Sequence, residues 1–139
     1  IGGFSKYHKE AVETFEYSSK NSHIDFWRYG YDILPKNSII NKKYHGEAWG
    51  IDMYNILYNS KISVNRHINA AKNYANNMRL YESTGVGAML ITDHKDNINE
   101  LFKVGEEIET YKSKGDLVEK INYYLKFLIS FRWKPTKPL

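Results

Sequence analysis

The tightest constraint in this chain is the run Gly87-Ala88-Met89-Leu90-Ile91-Thr92. It is continuously apolar, with no alternating polar positions, so a strand formed here must be covered on both faces. A parallel sheet with helices on either side provides that cover. The flanking sequence agrees. Upstream, Asn76 or Asn77 can cap a helix that ends near Thr84, with Gly85 at its C-cap. Downstream, Ile98, Leu101 and Phe102 mark a short helix, and Glu106 to Tyr111 reads as a further strand. Asn76 to Tyr111 thus has the order of a nucleotide-binding half of an α/β enzyme, in which ligands collect at loops leaving the strand ends.

The rest of the chain continues the alternation. Ile1 to Phe4 closes a first strand, and Ser5 is a candidate N-cap for a helix reaching about Ser19, with Tyr7, Ala11, Val12 and Phe15 on one face. His23 to Tyr29 is a short aromatic-rich strand, and Gly30 to Tyr44 reads as loop. Met53, Ile56 and Leu57 set a helix over about Ile51 to Tyr58; Lys61 to His67 follows as strand and Asn69 to Ala75 as loop. Asp116-x-x-Glu119 resembles a capping box opening a last helix, whose apolar stripe is Leu117, Ile121, Tyr124, Leu125 and Leu128. Arg132 to Leu139, with two prolines, is expected to be irregular. The predicted fold is α/β, a Rossmann-like parallel sheet built from right-handed βαβ units with helices on both faces.

Bulk properties narrow the function classes. At 139 residues, 42% of them apolar, the chain can bury one substantial core and is a single globular domain. A formal charge of +4 suits phosphate-bearing ligands but falls short of the basic stripe of a nucleic-acid binder. The absence of cysteine removes disulfides and thiolate metal sites, and is compatible with a reducing cytoplasm. No apolar run approaches the roughly 18 residues that span a bilayer. The first residues lack both an initiator Met and a signal-peptide order, and Ile1 opens on what reads as the tail of a strand; a fragment of a longer protein is the expectation.

Phosphate loops of the G-x-x-x-x-G-K-[ST] type, a G-x-S-x-G elbow and an H-E-x-x-H pair are all missing. His8, His23, His45, His67 and His94 are scattered without metal-ligand spacing, and only His67, just past a strand end, stands out. Asp93 and Asp96 lie near a strand end, where capping of the next helix suits Asp96 better than a cation site does. Gly85-x-Gly87 follows a helix and precedes a strand, the reverse of a dinucleotide fingerprint, so it reads as a tight connection. The start of the helix at Asn76-Asn77-Met78-Arg79 is more informative. Its N–H groups and dipole favour an anion, Arg79 adds charge, and Glu82 lies three residues along the same face, where a carboxylate can accept from both hydroxyls of a ribose. An Arg79–Glu82 surface salt bridge and plain asparagine capping explain the same residues, and spacing alone favours these blander roles.

At these residues the sequence resembles the glycosyltransferase group 1 C-terminal domain, in particular its CgeB-like branch. The resemblance is carried by Asn77, Met78, Arg79, Tyr81, Glu82, Gly87, Leu90, Thr92 and Asp93, then Leu101-Phe102, Gly105-Glu106-Glu107-Ile108 and Tyr111, and the closing helix from Asp116-Leu117 to Tyr124-Leu125. It implies the C-terminal half of a GT-B fold. Residues 1–130 would then be a nucleotide-sugar (donor) binding domain and 131–139 a tail, with the N-terminal acceptor domain absent from this chain. The implied enzyme is a metal-independent glycosyltransferase, needing no cofactor, that moves a sugar from a nucleotide-sugar to a glycan or small-molecule acceptor, as in cell-surface polysaccharide biosynthesis. The isolated half is expected to be inactive. A cytoplasmic location follows, with room for peripheral attachment at the inner membrane face. A non-catalytic nucleotide-binding or interaction module of the same fold is the alternative.

Carried over residue by residue, the resemblance implies that Glu82 holds the donor ribose. Asn77, Met78 and Arg79 would lie beside the diphosphate. Ser5 and Lys6, after the first strand, would approach the phosphates, and Tyr29 and Tyr31 would flank the base. Relatives carry a second glutamate eight positions before the ribose glutamate, near the sugar. Here that position is Tyr74, so no catalytic carboxylate is assigned.

Overall fold

The computed structural model describes residues 1–3, 5, 8–29 and 34–127. Along the chain run β1 (Gly2–Gly3), α1 (Lys9–Asn21), β2 (Arg28–Tyr29), α2 (Ile39–Lys42), α3 (Gly50–Asn59), β3 (Ile62–Asn65), a 3-10 turn (Asn69–Ala71), α4 (Met78–Gly85), β4 (Met89–Asp93), α5 (Ile98–Leu101), β5 (Glu109–Tyr111) and α6 (Lys114–Phe127). Among the described residues every strand pairing is parallel, as the sequence predicts: β1 with β2, and β3 with β4 with β5. The architecture is a Rossmann-like α/β fold, with its sheet in two pieces. Among the described residues no ladder joins β1 to β3.

β4 is the centre of the larger piece, and all five of its residues are buried. Its alternate side chains serve opposite layers. Met89 and Ile91 pack with Tyr111, Leu117 and Ile121 against α6, whereas Leu90 packs with Ala75, Leu80, Ile98 and Ile108 against α4 and α5. Full burial of an aliphatic side chain of this size contributes about 1.5–3 kcal/mol, so the unbroken apolar run has a use on each face. Phe26, Leu34 and Ile40 form a third cluster beside α1. Packing of α1 with α6, and separately of α3 with α4, places helices on both faces of the sheet.

The differences from the sequence reading have local causes. α1 begins at Lys9, not just after Ser5, because the Ser5 N–H donates to His8 Nδ1 at 2.9 Å and closes a preceding turn. α2 lies inside the stretch read as loop, started by Ser38, whose Oγ accepts from the Ile40 N–H at 3.1 Å. The last strand is shorter than Glu106 to Tyr111. Gly105, at φ +87°, turns the chain so that its N–H reaches Ile108 O at 2.8 Å. α6 starts before the expected box. Ser113 Oγ accepts from the Asp116 N–H at 3.1 Å, and the Asp116 carboxylate accepts from the Lys112 N–H at 2.9 Å. Leu128 and the tail at 131–139 lie outside the described residues.

The connection from α4 to β4 settles the roles of its two glycines. Gly85 is the last helical residue, and Gly87 turns left-handed at φ +80°. The Gly87 N–H donates to Thr84 O and the Ala88 N–H to Ser83 O, each at 3.0 Å, the paired bonds of a Schellman ending. The left-handed C′ position is therefore Gly87, two residues beyond Gly85.

Candidate functional site

A cavity of about 1510 Å³ runs along the boundary between β1 and β3. β1 lines it with Gly2 and Gly3, β3 and its exit with Asn65, Arg66 and His67, and α4 with Asn77, Met78, Arg79 and Glu82. Crevices beside the carboxyl ends of parallel strands are where open α/β folds hold ligands.

α4 meets the cavity with its N-terminus. Asn77 Oδ1 accepts from the Leu80 N–H at 3.3 Å, so the predicted cap forms. Asn77 Nδ2 donates to Asn65 Oδ1 at 3.2 Å, tying the helix start to the end of β3. The Asn77 side chain is thus committed to structure, and a ligand at this helix start would meet backbone N–H groups. Behind α4, Asn97 grips the Ala75 backbone with both amide atoms, at 2.6 and 3.0 Å. Asp96, expected to cap α5, instead precedes its N-cap position, which Asn97 occupies without a side-chain cap bond.

Arg79 and Glu82 pair with Nη1 to Oε2 at 3.0 Å, and their side chains are only 16% and 13% exposed. The surface salt bridge expected from spacing is therefore a largely buried pair on the cavity wall. Arg79 Nη1 is itself buried and has this carboxylate as its ionic partner. Met78 lines the cavity beside them with its side chain mostly exposed. Ser5 lines it too, its Oγ 2.9 Å from His8 Nδ1. Lys6 and Tyr31 lie outside the described residues; Tyr29 ends β2, and its side chain is not described. Tyr74 is exposed in the loop before α4, its N–H bonded to Ala71 O at 3.0 Å.

A second group at the strand ends was only half visible in the sequence. Register pairs Asn65 with Thr92 and Asp93 with Tyr111. Asn65 Nδ2 donates to Thr92 Oγ1 at 3.0 Å, and the Thr92 hydroxyl to Asp93 Oδ1 at 3.2 Å. The same carboxylate oxygen accepts from the His67 N–H at 3.0 Å and faces His67 Nδ1 at 2.7 Å. A carboxylate only accepts, so the proton of that contact sits on Nδ1. Burial pushes the Asp93 carboxyl up, but the His67 hydrogen bonds and charge, with Lys95 at 3.4 Å, carry it below the usual carboxylate range. The Tyr111 hydroxyl, which burial and Asp93 push upward, donates to Asn65 O at 3.0 Å. His67 and Asp93 were each noted at a strand end in the sequence; their pairing was not, because 26 residues separate them. The one available signal was that they lie at the ends of adjacent parallel strands.

Among the described residues, no group of three or more His, Asp or Glu side chains is gathered as a metal site, and no helix is long and apolar enough to cross a membrane. Comparison with curated proteins and with solved structures finds no match. A family model described as glycosyl transferase-like matches residues 9–127, which include α1 through α6 and every residue of the strand-end network. The chain belongs to the glycosyl transferase-like family.

Proposed function

We propose that this domain binds the nucleotide-sugar donor of a glycosyltransferase, as the C-terminal half of a two-domain GT-B enzyme. The observation that carries the reading is the α4 terminus at the cavity: capped backbone, a largely buried arginine, and the carboxylate paired with it one turn further on. In this reading the diphosphate lies against the first N–H groups of α4 and Arg79, and Glu82 accepts from the ribose hydroxyls. Gly2-Gly3 and Ser5, on the β1 side, bring backbone close to the phosphates, with Lys6 adding charge. Tyr29 and Tyr31 flank the base. Phosphate charge developing during transfer is stabilised by Arg79, Lys6 and the helix dipole in place of a divalent ion. The acceptor, a glycan or small molecule, enters from the other half of the enzyme, on the cytoplasmic side of the membrane.

Calorimetric titration with UDP-, GDP- and ADP-sugars tests this. One of them binds, and Glu82→Ala weakens it by about tenfold or more, the worth of charge-assisted hydrogen bonds to a diol, while circular dichroism stays unchanged. No binding by the full two-domain protein, or undiminished affinity in the variant, would refute the assignment. Tyr74 favours a second reading, a module that kept the nucleotide site without transferring sugar: it is exposed where the resembled family carries a carboxylate. Sugar transfer by the full-length protein would dismiss that reading.

A further inference from the structure

His67 has no part in the donor contacts set out above, yet its ring is built as if for a ligand. Its side chain is 1% exposed, with Nδ1 clamped to Asp93 at 2.7 Å. Nε2 is buried without a hydrogen-bond partner among the described residues, and the residue lines the same cavity as the start of α4. Arg79, ion-paired with Glu82 at 3.0 Å, lines the same cavity. A buried polar group left unbonded is costly, so the imidazole nitrogen calls for an occupant that satisfies it. The Asn77–Asn65 hydrogen bond holds the helix start to the strand that delivers His67 two residues later.

We propose that His67 is a ligand-binding residue, its Nε2 donating to a diphosphate that also lies against Arg79 and the α4 N-terminus. The identification of that anion with the donor diphosphate rests on the function proposed above. Asp93 orients the ring and fixes the Nδ1 proton, and an Nε2 that donates to an anion is that of the doubly protonated ring. The groups facing this region are Arg66 just after β3, Asp93 and Lys95 at the end of β4, Tyr111 from β5, Arg79 and Glu82 from α4, Glu10 of α1, paired with Arg66, and the Ile1 α-amino group, which burial and Arg79 push down to about 5 and which both proteins of the test share. Of the side chains here, only that of histidine ordinarily changes charge between pH 6 and 8.

Calorimetry with inorganic pyrophosphate, on the chain and on His67→Gln at pH 6 and pH 8, is the test. The expected result is tighter binding at pH 6, lost by about tenfold in the variant, with the ratio between the two pH values reduced. Titration of pyrophosphate itself, and of His8 and His23 elsewhere on the lining, is common to both proteins and cancels in that comparison. Absence of pyrophosphate binding, equal affinity in the variant, or an unchanged pH ratio would overturn the proposal. The unsubstituted chain supplies a check independent of the variant's folding. The His67 ring nitrogen resonances must move on adding pyrophosphate, and fixed resonances also overturn it. If pyrophosphate binds through His67 but UDP, GDP and ADP bind no more tightly, the donor reading fails and the His67 site stands.

Discussion

Removing the Asp93 carboxylate is the sharpest test of the strand-end network. Asp93→Ala strips one oxygen that accepts the His67 N–H at 3.0 Å, the Thr92 hydroxyl at 3.2 Å, and the His67 ring at 2.7 Å. The Thr92 hydroxyl can rotate to another acceptor. The two His67 donors cannot, because the residue is 4% exposed and its backbone is fixed at the end of β3. Each buried donor left unbonded costs about 1–3 kcal/mol, and here two are left. A loss of about 4 kcal/mol is expected, a large part of the 5–15 kcal/mol typical of a domain. In urea, with a slope of about 2 kcal/mol per molar, the midpoint should fall by about 2 M at unchanged slope. A loss below about 1 kcal/mol, the worth of an ordinary solvated hydrogen bond, would refute the reasoning. Asp93→Asn keeps an acceptor for the His67 N–H and should cost about half as much. The pH dependence adds a check of sign. The folded-state value of Asp93 lies below that of the unfolded chain, so its stabilisation is complete above the unfolded value, about 3.9, and is lost as pH falls through the folded one. Asp93→Asn should flatten that acid limb.

Two further pairs of substitutions test the helix ends. Gly87→Ala should destabilise by about 1 kcal/mol or more, since φ is +80° and the cost is conformational, with nothing within 4 Å to meet the added Cβ. Gly85→Ala, inside the last turn of α4, should be neutral or stabilising by up to about 1 kcal/mol; thermal denaturation of the pair would refute the C′ assignment if the order were reversed. Ser113→Ala should cost about 1 kcal/mol by removing the acceptor of the Asp116 N–H, with Glu119→Ala within about 0.5 kcal/mol of wild type as an exposed surface change. Equal losses at the two positions in urea titrations would restore the box at Asp116 and Glu119.

Most of the fold was legible because its strongest signals are local. The apolar run at β4 can be satisfied only by layers on both faces, and the Leu117 and Ile121 spacing supplies one of those layers. Helix ends were less legible, because capping depends on which of several neighbouring polar residues closes the turn. Ser5 looked like a cap but joins His8, while Ser113 does the capping that Asp116 and Glu119 suggested. The short α2 was invisible, since one turn has no periodicity and rests on Ser38 alone. The division of the sheet at β1 and β3 is a property of tertiary packing that no local pattern records.

For the site, the sequence pointed to the start of α4, which lines the cavity, and undervalued what lies behind it. Arg79 and Glu82 read as a surface pair, because spacing on a helix says which residues are neighbours but not which face is covered. Only the placement of α4 over the β3 exit turns that pair into a cavity wall. The Thr-Asp ending of β4 was part of the resembled pattern without a physical role. Three-dimensional register supplies one: Thr92 and Asp93 connect Asn65 to His67, and Asn65 connects both to the α4 cap. A chain of buried hydrogen bonds therefore runs from the helix terminus to the imidazole, each link formed by a side chain at the end of a parallel strand or at the helix start. Because the α4 cap and His67 share that network, a ligand held by both faces a preorganised surface, and a change at Asp93 should be felt in binding as well as in stability.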